Sequence, residues 1–187
     1  MKIFKPYIDL GKSFSRYWQA YGGLSALVTS PYVHLSILIT ALSRVWMSDL
    51  AWVDDCIAVV PSILGFSLGA FAIFLAFSDG GFLKIMTGRL GEATEQNSLY
   101  IQISGMFAHF MLAQTVALTF ALIGRNFDTT GPSCNCLVLI FSGIGYAAFI
   151  YSLLTVVASA FTLLHFASVF QEYQRLDKPS DGNDASH

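Results

Sequence analysis

An uncharged stretch of 22 residues, from Cys56 to Phe77, limits this chain to very few folds. As an α-helix it would be about 33 Å long, because each residue adds about 1.5 Å, and the hydrocarbon core of a bilayer is about 30 Å thick. The stretch therefore predicts a membrane-spanning helix. Three more long apolar runs occur along the chain. The sequence thus predicts an all-α, polytopic membrane protein with four transmembrane helices.

The composition favours the same class of protein. Of the 187 residues, 55% are hydrophobic and 12% are charged, whereas about 25% are charged in a soluble domain. The net charge of −2, without any basic stripe, argues against nucleic acid as a partner. The three cysteines form neither a C-x-x-C pair nor a Cys/His quartet, so we expect no metal site. Because the sequence contains no catalytic or nucleotide-binding motif, we expect a non-enzymatic protein without a cofactor.

The alternation of polar and apolar segments divides the chain into three parts. Residues 1–23 are basic and aromatic, and we expect them at the lipid headgroups. Residues 171–187 form a polar tail. Ser30 and Pro31 are typical of an N-cap and a first-turn proline, so we expect the first span to bend there. The membrane domain, 24–170, holds the four predicted spans at about 24–47, 56–77, 101–124 and 137–170.

The fourth predicted span is longer than a bilayer requires. Its 34 uncharged residues, 137–170, would form about 51 Å of helix against a core of about 30 Å. Either the end of this helix projects beyond the membrane or the helix breaks. Gly143 and Gly145 are the expected place for a break.

The distribution of lysine and arginine predicts the orientation in the membrane. Eight of these residues lie on the side that holds the N-terminus, the middle connector and the tail, and two, Arg44 and Arg125, lie on the other side. Cytoplasmic segments carry the excess of positive charge, so we expect both termini in the cytoplasm of a bacterium with this chain in its inner membrane. The connector 81–100 and the tail would then be available to a cytoplasmic protein partner.

Small residues form a single stripe along the second span. Successive members lie 4, 3, 4, 3 and 4 residues apart, which places them on one side of a helix with the period of a left-handed helix pair. In a membrane, small residues let two helix backbones approach closely, and Gly-x-x-x-Gly is the common short form of this pattern. The stripe predicts a packing seam within the monomer, a seam between copies in a homo-oligomer, or a pore-facing surface. Its residues are Ala58, Ser62, Gly65, Gly69, Ala72 and Ala76.

Polar side chains in and near the spans suggest an alternative function, a small transporter or an ion channel that uses the polar faces of spans three and four. Acidic residues at a pore mouth favour cations, and an intramembrane histidine can relay protons. Hydroxyl groups along the fourth span could face water or bond to their own helix. His34 and His165 also occur in the spans, but their depths do not bring the histidines together. The candidates for pore-facing positions are Asp55, Asp79, His109, Ser152, Thr155, Ser159 and Thr162.

The cysteines lie toward the predicted outer face. Cys134 and Cys136 are in or beside the loop after span three, and Cys56 lies near the same face. In an oxidising compartment a disulfide between Cys56 and either of the other two is geometrically possible. The layout is also similar to that of the quinone-linked disulfide oxidase of the bacterial inner membrane. That family requires a C-x-x-C pair in the first outer loop, and residues 48–55 contain no cysteine.

A family resemblance adds a hypothesis about function. The basic start, the second span LGFSLGAFAIFLAF (64–77), the short charged connector and the final VFQEYQRL (169–176) resemble the small four-span membrane proteins of phage exclusion and antiphage defence, such as the membrane subunit of Kiwa. The resemblance covers the layout of most of the chain. It implies a homo-oligomer in the inner membrane that works with a cytoplasmic partner or depolarises the membrane, and hence an anchor, a sensor or a leak pathway.

Overall fold

The computed structural model describes residues 5–44, 50–76, 99–126 and 136–177, and in these ranges the chain forms six α-helices. Their bounds are α1 Lys5–Tyr21, α2 Gly23–Thr29, α3 Pro31–Leu42, α4 Ala51–Ala76, α5 Leu99–Gly124 and α6 Cys136–Asp177. Three of them, α4, α5 and α6, are long and apolar enough to cross a membrane, and the bent pair of α2 and α3 makes a fourth candidate span. The protein is an all-α, multi-pass membrane protein, as the sequence predicts.

Some sequence predictions concern segments outside the described residues. These are Asp79, Cys134, most of the connector 81–100 and the tail after Asp177. The second span begins earlier than predicted, at Ala51 instead of Cys56. Asp54 and Asp55 therefore belong to the first turns of α4.

The predicted bend in the first span is confirmed. Helix α3 begins at Pro31 with Ser30 as its N-cap residue, and α2 and α3 are bent by 50° relative to each other. Proline fits the first position of a helix because the N–H that it lacks would have no partner within the helix. The Ser30 N–H donates to the Leu27 carbonyl at 3.2 Å and so closes α2.

Helix α6 is continuous over 42 residues, so the predicted alternative of a break at Gly143 or Gly145 is wrong. It is about 63 Å long and extends well beyond the thickness of a bilayer core. Gly145 instead serves helix packing, because a Cβ atom there would lie 2.5 Å from Cη2 of Trp52. The indole N–H of Trp52 donates to Oγ of Ser142 at 3.0 Å, which fixes the ring against α6.

Helix α5 lies at the centre of the bundle, in contact with α1, α4 and α6. Apolar side chains of α4, α5 and α6 form two clusters, one toward each end of α5. In the cluster near its N-terminal end, Phe74 of α4 is fully buried, and its ring meets Phe166 of α6 edge to face at 5.1 Å. In the other cluster, Trp52 and Val60 of α4 pack near Ala121 of α5.

Helix α1, predicted as an interfacial segment, is docked on α5. Gly22 and Gly23 have φ angles of 101° and 69°, in the left-handed region that glycine adopts without strain, and they redirect the chain from α1 into α2. Ala20 lies directly over Gly105 of α5, where a Cβ atom would come within 2.9 Å of the alanine Cβ. The close approach at Gly105 brings the last turn of α1 into contact with the bundle.

We expect Gly145→Ala to destabilise the bundle by about 1–3 kcal/mol, because the added methyl group overlaps a fully buried and rigid Trp52 ring. Gly11→Ala is the matched control, since Gly11 lies in α1, outside the small-residue stripe of α4, and a Cβ atom there meets nothing within 4 Å. The control should be neutral or slightly stabilising, because alanine favours a helix over glycine. Thermal unfolding of the detergent-solubilised protein measures both effects. Equal unfolding midpoints for the two variants would contradict the packing of Trp52 on Gly145.

Candidate functional site

A histidine lies buried where α1, α5 and α6 meet. The side chain of His109 is 6% exposed. Its Nδ1 atom lies 2.8 Å from the hydroxyl oxygen of Tyr17 on α1, and its Nε2 atom lies 2.6 Å from the hydroxyl oxygen of Tyr151 on α6. The ring of Tyr21 stacks on the imidazole with ring centroids 3.8 Å apart. We call Tyr17, Tyr21, His109 and Tyr151 the histidine cluster.

The local sequence explains how these side chains meet. Tyr17 and Tyr21 are four residues apart, so both project from the same face of α1. Gly105 and His109 are likewise four residues apart on α5. The missing side chain at Gly105 lets α1 approach, and the histidine one turn later then meets the tyrosines.

The two hydrogen bonds suit an uncharged imidazole. A neutral histidine has one N–H donor and one nitrogen acceptor, and a tyrosine hydroxyl can serve either atom. One tyrosine therefore donates to the ring while the other accepts from it. An imidazolium would donate to both hydroxyl oxygens, so the cluster could also hold a proton and keep both bonds. Burial, with a smaller contribution from Tyr21, raises the pKa of Tyr17 to about 12, so its hydroxyl stays protonated at physiological pH.

A second buried polar contact joins α4 to α5. Gln114 is fully buried, and its Nε2 donates to Oγ of Ser67 at 2.9 Å. Its Oε1 atom has no hydrogen-bond partner among the described residues. An interhelical hydrogen bond of this kind adds about 0.6 kcal/mol inside a membrane. The contact orients α4 so that Ser67 points into the bundle.

The hydroxyl stripe of α6 bonds to its own helix. Ser152, Thr155 and Ser159 are buried, and their hydroxyls donate to carbonyl oxygens three residues earlier at 2.7, 2.6 and 2.7 Å. Thr162 donates to the Ala158 carbonyl at 2.9 Å. Of the two interpretations that the sequence leaves open, bonding to the helix's own backbone is therefore the one observed.

The remaining candidates do not join the histidine cluster. Asp55, His34 and His165 are exposed on α4, α3 and α6. Cys56 is buried with its Sγ 3.6 Å from the Ala117 carbonyl oxygen, and Cys136 is exposed; both are free thiols. A disulfide between these two is therefore not formed. Among the described residues, no group of three His, Cys, Asp or Glu side chains could hold a metal ion.

The small-residue stripe of α4 lies on the outside of the chain. All six of its residues are exposed, and a Cβ atom at Gly65 or Gly69 would meet nothing within 4 Å. The opposite side of α4 carries the buried residues, among them Trp52 and Phe74. The interpretation of the stripe as a seam within the monomer is therefore wrong. The bulky side of α4 faces inward because Trp52 fits against Gly145 and Ser67 pairs with Gln114.

Sequence reasoning identified His109 but missed its partners. The four-residue spacings of Tyr17 with Tyr21 and of Gly105 with His109 were the available signals. Neither spacing indicates which helices will meet. The Ser67–Gln114 pair had a weaker signal, namely that glutamine in a span needs a partner.

The fold and the buried polar contacts define a multi-pass helical membrane protein. A comparison with known protein families, with curated proteins and with solved structures finds no match to this chain.

We expect Tyr17→Phe to loosen α1 from the bundle. The substitution leaves Nδ1 of His109 without its partner at a cost of about 1–3 kcal/mol, so opening of α1 should increase about tenfold. Limited trypsin cleavage after Arg16, in detergent-solubilised protein, measures this opening. Tyr7→Phe is the matched control, because Tyr7 is 70% exposed and loses the same hydroxyl. The same cleavage rate in both variants would show that the cluster does not hold α1.

Proposed function

We propose that this chain is a non-enzymatic membrane subunit that associates with further copies of itself through the α4 stripe. The observation that supports the proposal is the outward position of all six small residues, on the side of α4 away from the core. The stripe extends from Ala58 to Ala76, which corresponds to about 27 Å of helix and so to most of a bilayer core. A helix partner could therefore contact it across the full membrane.

The physics of helix association in lipid favours this assignment. Bulky apolar side chains gain little by leaving lipid for protein, because both surroundings are apolar. A stripe without side-chain bulk gains more, because two helix backbones can approach and make many dispersion contacts. A two-fold pair would place the same stripe on both copies, so Gly65 and Gly69 of one copy would face those of the other.

The alternative of a transporter or channel lined by spans three and four has less support. The hydroxyl groups of α6 are buried and bonded to their own helix, and His109 and Gln114 are held between helices. A water-filled path along these faces would have to break those contacts. The contacts within one copy of the chain therefore support a binding or structural role better than a transport role.

Within this class we propose a location in the bacterial inner membrane and a role in phage defence, as an anchor, a sensor or a leak component. The excess of eight basic residues over two supports the orientation, with both termini in the cytoplasm. The layout resemblance to the membrane subunits of phage-exclusion and antiphage systems supports the defence role. A cytoplasmic partner would contact the connector 81–100 and the C-terminal tail.

Ala72→Leu and Gly69→Leu should weaken self-association, because a leucine side chain prevents close approach along the stripe. Ala160→Leu is the matched control for Ala72→Leu, since Ala160 is an exposed alanine on α6 and receives the same side chain. Resonance energy transfer between labelled copies in liposomes, at several protein-to-lipid ratios, measures the association. We expect a loss of transfer in the two stripe variants and none in the control. Undiminished transfer in both stripe variants would contradict the proposed interface.

The defence role has its own test. A strain that carries the gene in its native genomic context should plate phage less efficiently than a strain with the gene deleted. Gly69→Leu should abolish this protection and Ala160→Leu should retain it, because only the first substitution lies in the stripe. Equal plating on wild-type and deleted strains would contradict the defence role, while the energy-transfer result would still decide the question of self-association.

A further inference from the structure

A cavity of about 860 Å³ opens between α1, α4 and the N-terminal end of α5. Arg16 and Gln19 of α1 line one side of it. Its apolar wall comes from Phe71 of α4 and from Ile101 and Ala108 of α5. The volume lies within the range of about 300–1,000 Å³ that is usual for small-molecule sites.

The described lining of this cavity carries positive charge. Among the described residues, the ten that line it include one cation, Arg16, and no carboxylate. Arg16 is exposed and forms no ion pair with any described residue. The hydroxyl of Ser104, also in the lining, donates to the Tyr100 carbonyl at 2.8 Å. This hydroxyl is therefore already used as a donor and does not take part in binding an anion. The guanidinium can offer two parallel N–H groups to a phosphate.

We propose that this cavity binds one anionic phospholipid. The phosphate group bonds to Arg16, and the upper part of an acyl chain lies along Phe71, Ile101 and Ala108. The charge of Arg16 alone would suit any phosphate, but the apolar wall beside it requires a ligand that also has a hydrocarbon part. Anionic lipids are enriched in the cytoplasmic leaflet, where the basic N-terminal side of this chain is expected, and basic pockets between helices on that side bind such headgroups.

The test measures which lipids the full-length protein retains. The protein is purified in mild detergent, equilibrated with vesicles of equimolar phosphatidylglycerol and phosphatidylcholine that share the same acyl chains, and analysed by native mass spectrometry. We expect the wild type to retain phosphatidylglycerol about fivefold over phosphatidylcholine, as one well-placed basic residue predicts. Arg16→Gln should remove this preference. Lys12→Gln, which removes the same charge one turn earlier on α1 outside the cavity lining, should keep it.

Two further arms identify the ligand. Ala108→Leu fills the apolar wall without changing any charge, and it should reduce the retained phosphatidylglycerol. An excess of inorganic phosphate should leave the lipid bound, because phosphate cannot replace the acyl chain. Displacement by phosphate would overturn the proposal in favour of a free-anion site.

Other outcomes would overturn the proposal as well. If Arg16→Gln and Lys12→Gln reduce the preference for phosphatidylglycerol equally, then surface charge in general, and not this cavity, selects the lipid. Equal retention of both lipids by the wild type, with no effect of Ala108→Leu, would show that the cavity does not bind an anionic lipid.

Discussion

The pairing of His109 with two tyrosines is the contact on which the arrangement of this bundle depends. In the interior of a bilayer a polar side chain finds no water, so an imidazole must take both its hydrogen-bond partners from protein. The partners of His109 come from different helices, Tyr17 of α1 and Tyr151 of α6. One side chain of α5 therefore fixes two other helices, including the N-terminal helix that precedes the first span.

Polar pairs and glycine contacts together orient the remaining helices. Gln114 of α5 holds Ser67 of α4, and the Trp52 ring of α4 bonds to α6 while it rests on Gly145. These contacts turn the bulky side of α4 inward. The small residues around Gly65 and Gly69 are consequently left on the surface, where only lipid or another protein can cover them. The exposure of the stripe thus follows from contacts made on the other side of the same helix.

The sequence was sufficient for features that depend on local chemistry. The length of the apolar runs predicted the spans, and Pro31 predicted the bend between α2 and α3. The sequence was insufficient where a prediction required knowing which helix faces meet. Both sides of α4 are apolar enough for a core, so the pattern alone could not choose between the Gly65 side and the Trp52 side. For the same reason the sequence indicated His109 as a candidate pore-facing residue but did not indicate Tyr17 or Tyr151 as its partners.

Solid-state NMR in lipid bilayers can show whether His109 joins α1 to the bundle. The measurement would use protein with ¹⁵N-labelled histidine and ¹³C-labelled tyrosine, and would assign His109 by comparison with a His109→Gln sample. The pairing of His109 with both tyrosines predicts through-space contacts from one ring nitrogen to the ring carbon bearing the hydroxyl of Tyr17 and from the other to that of Tyr151. Contacts from His109 to water in place of these tyrosines would contradict it.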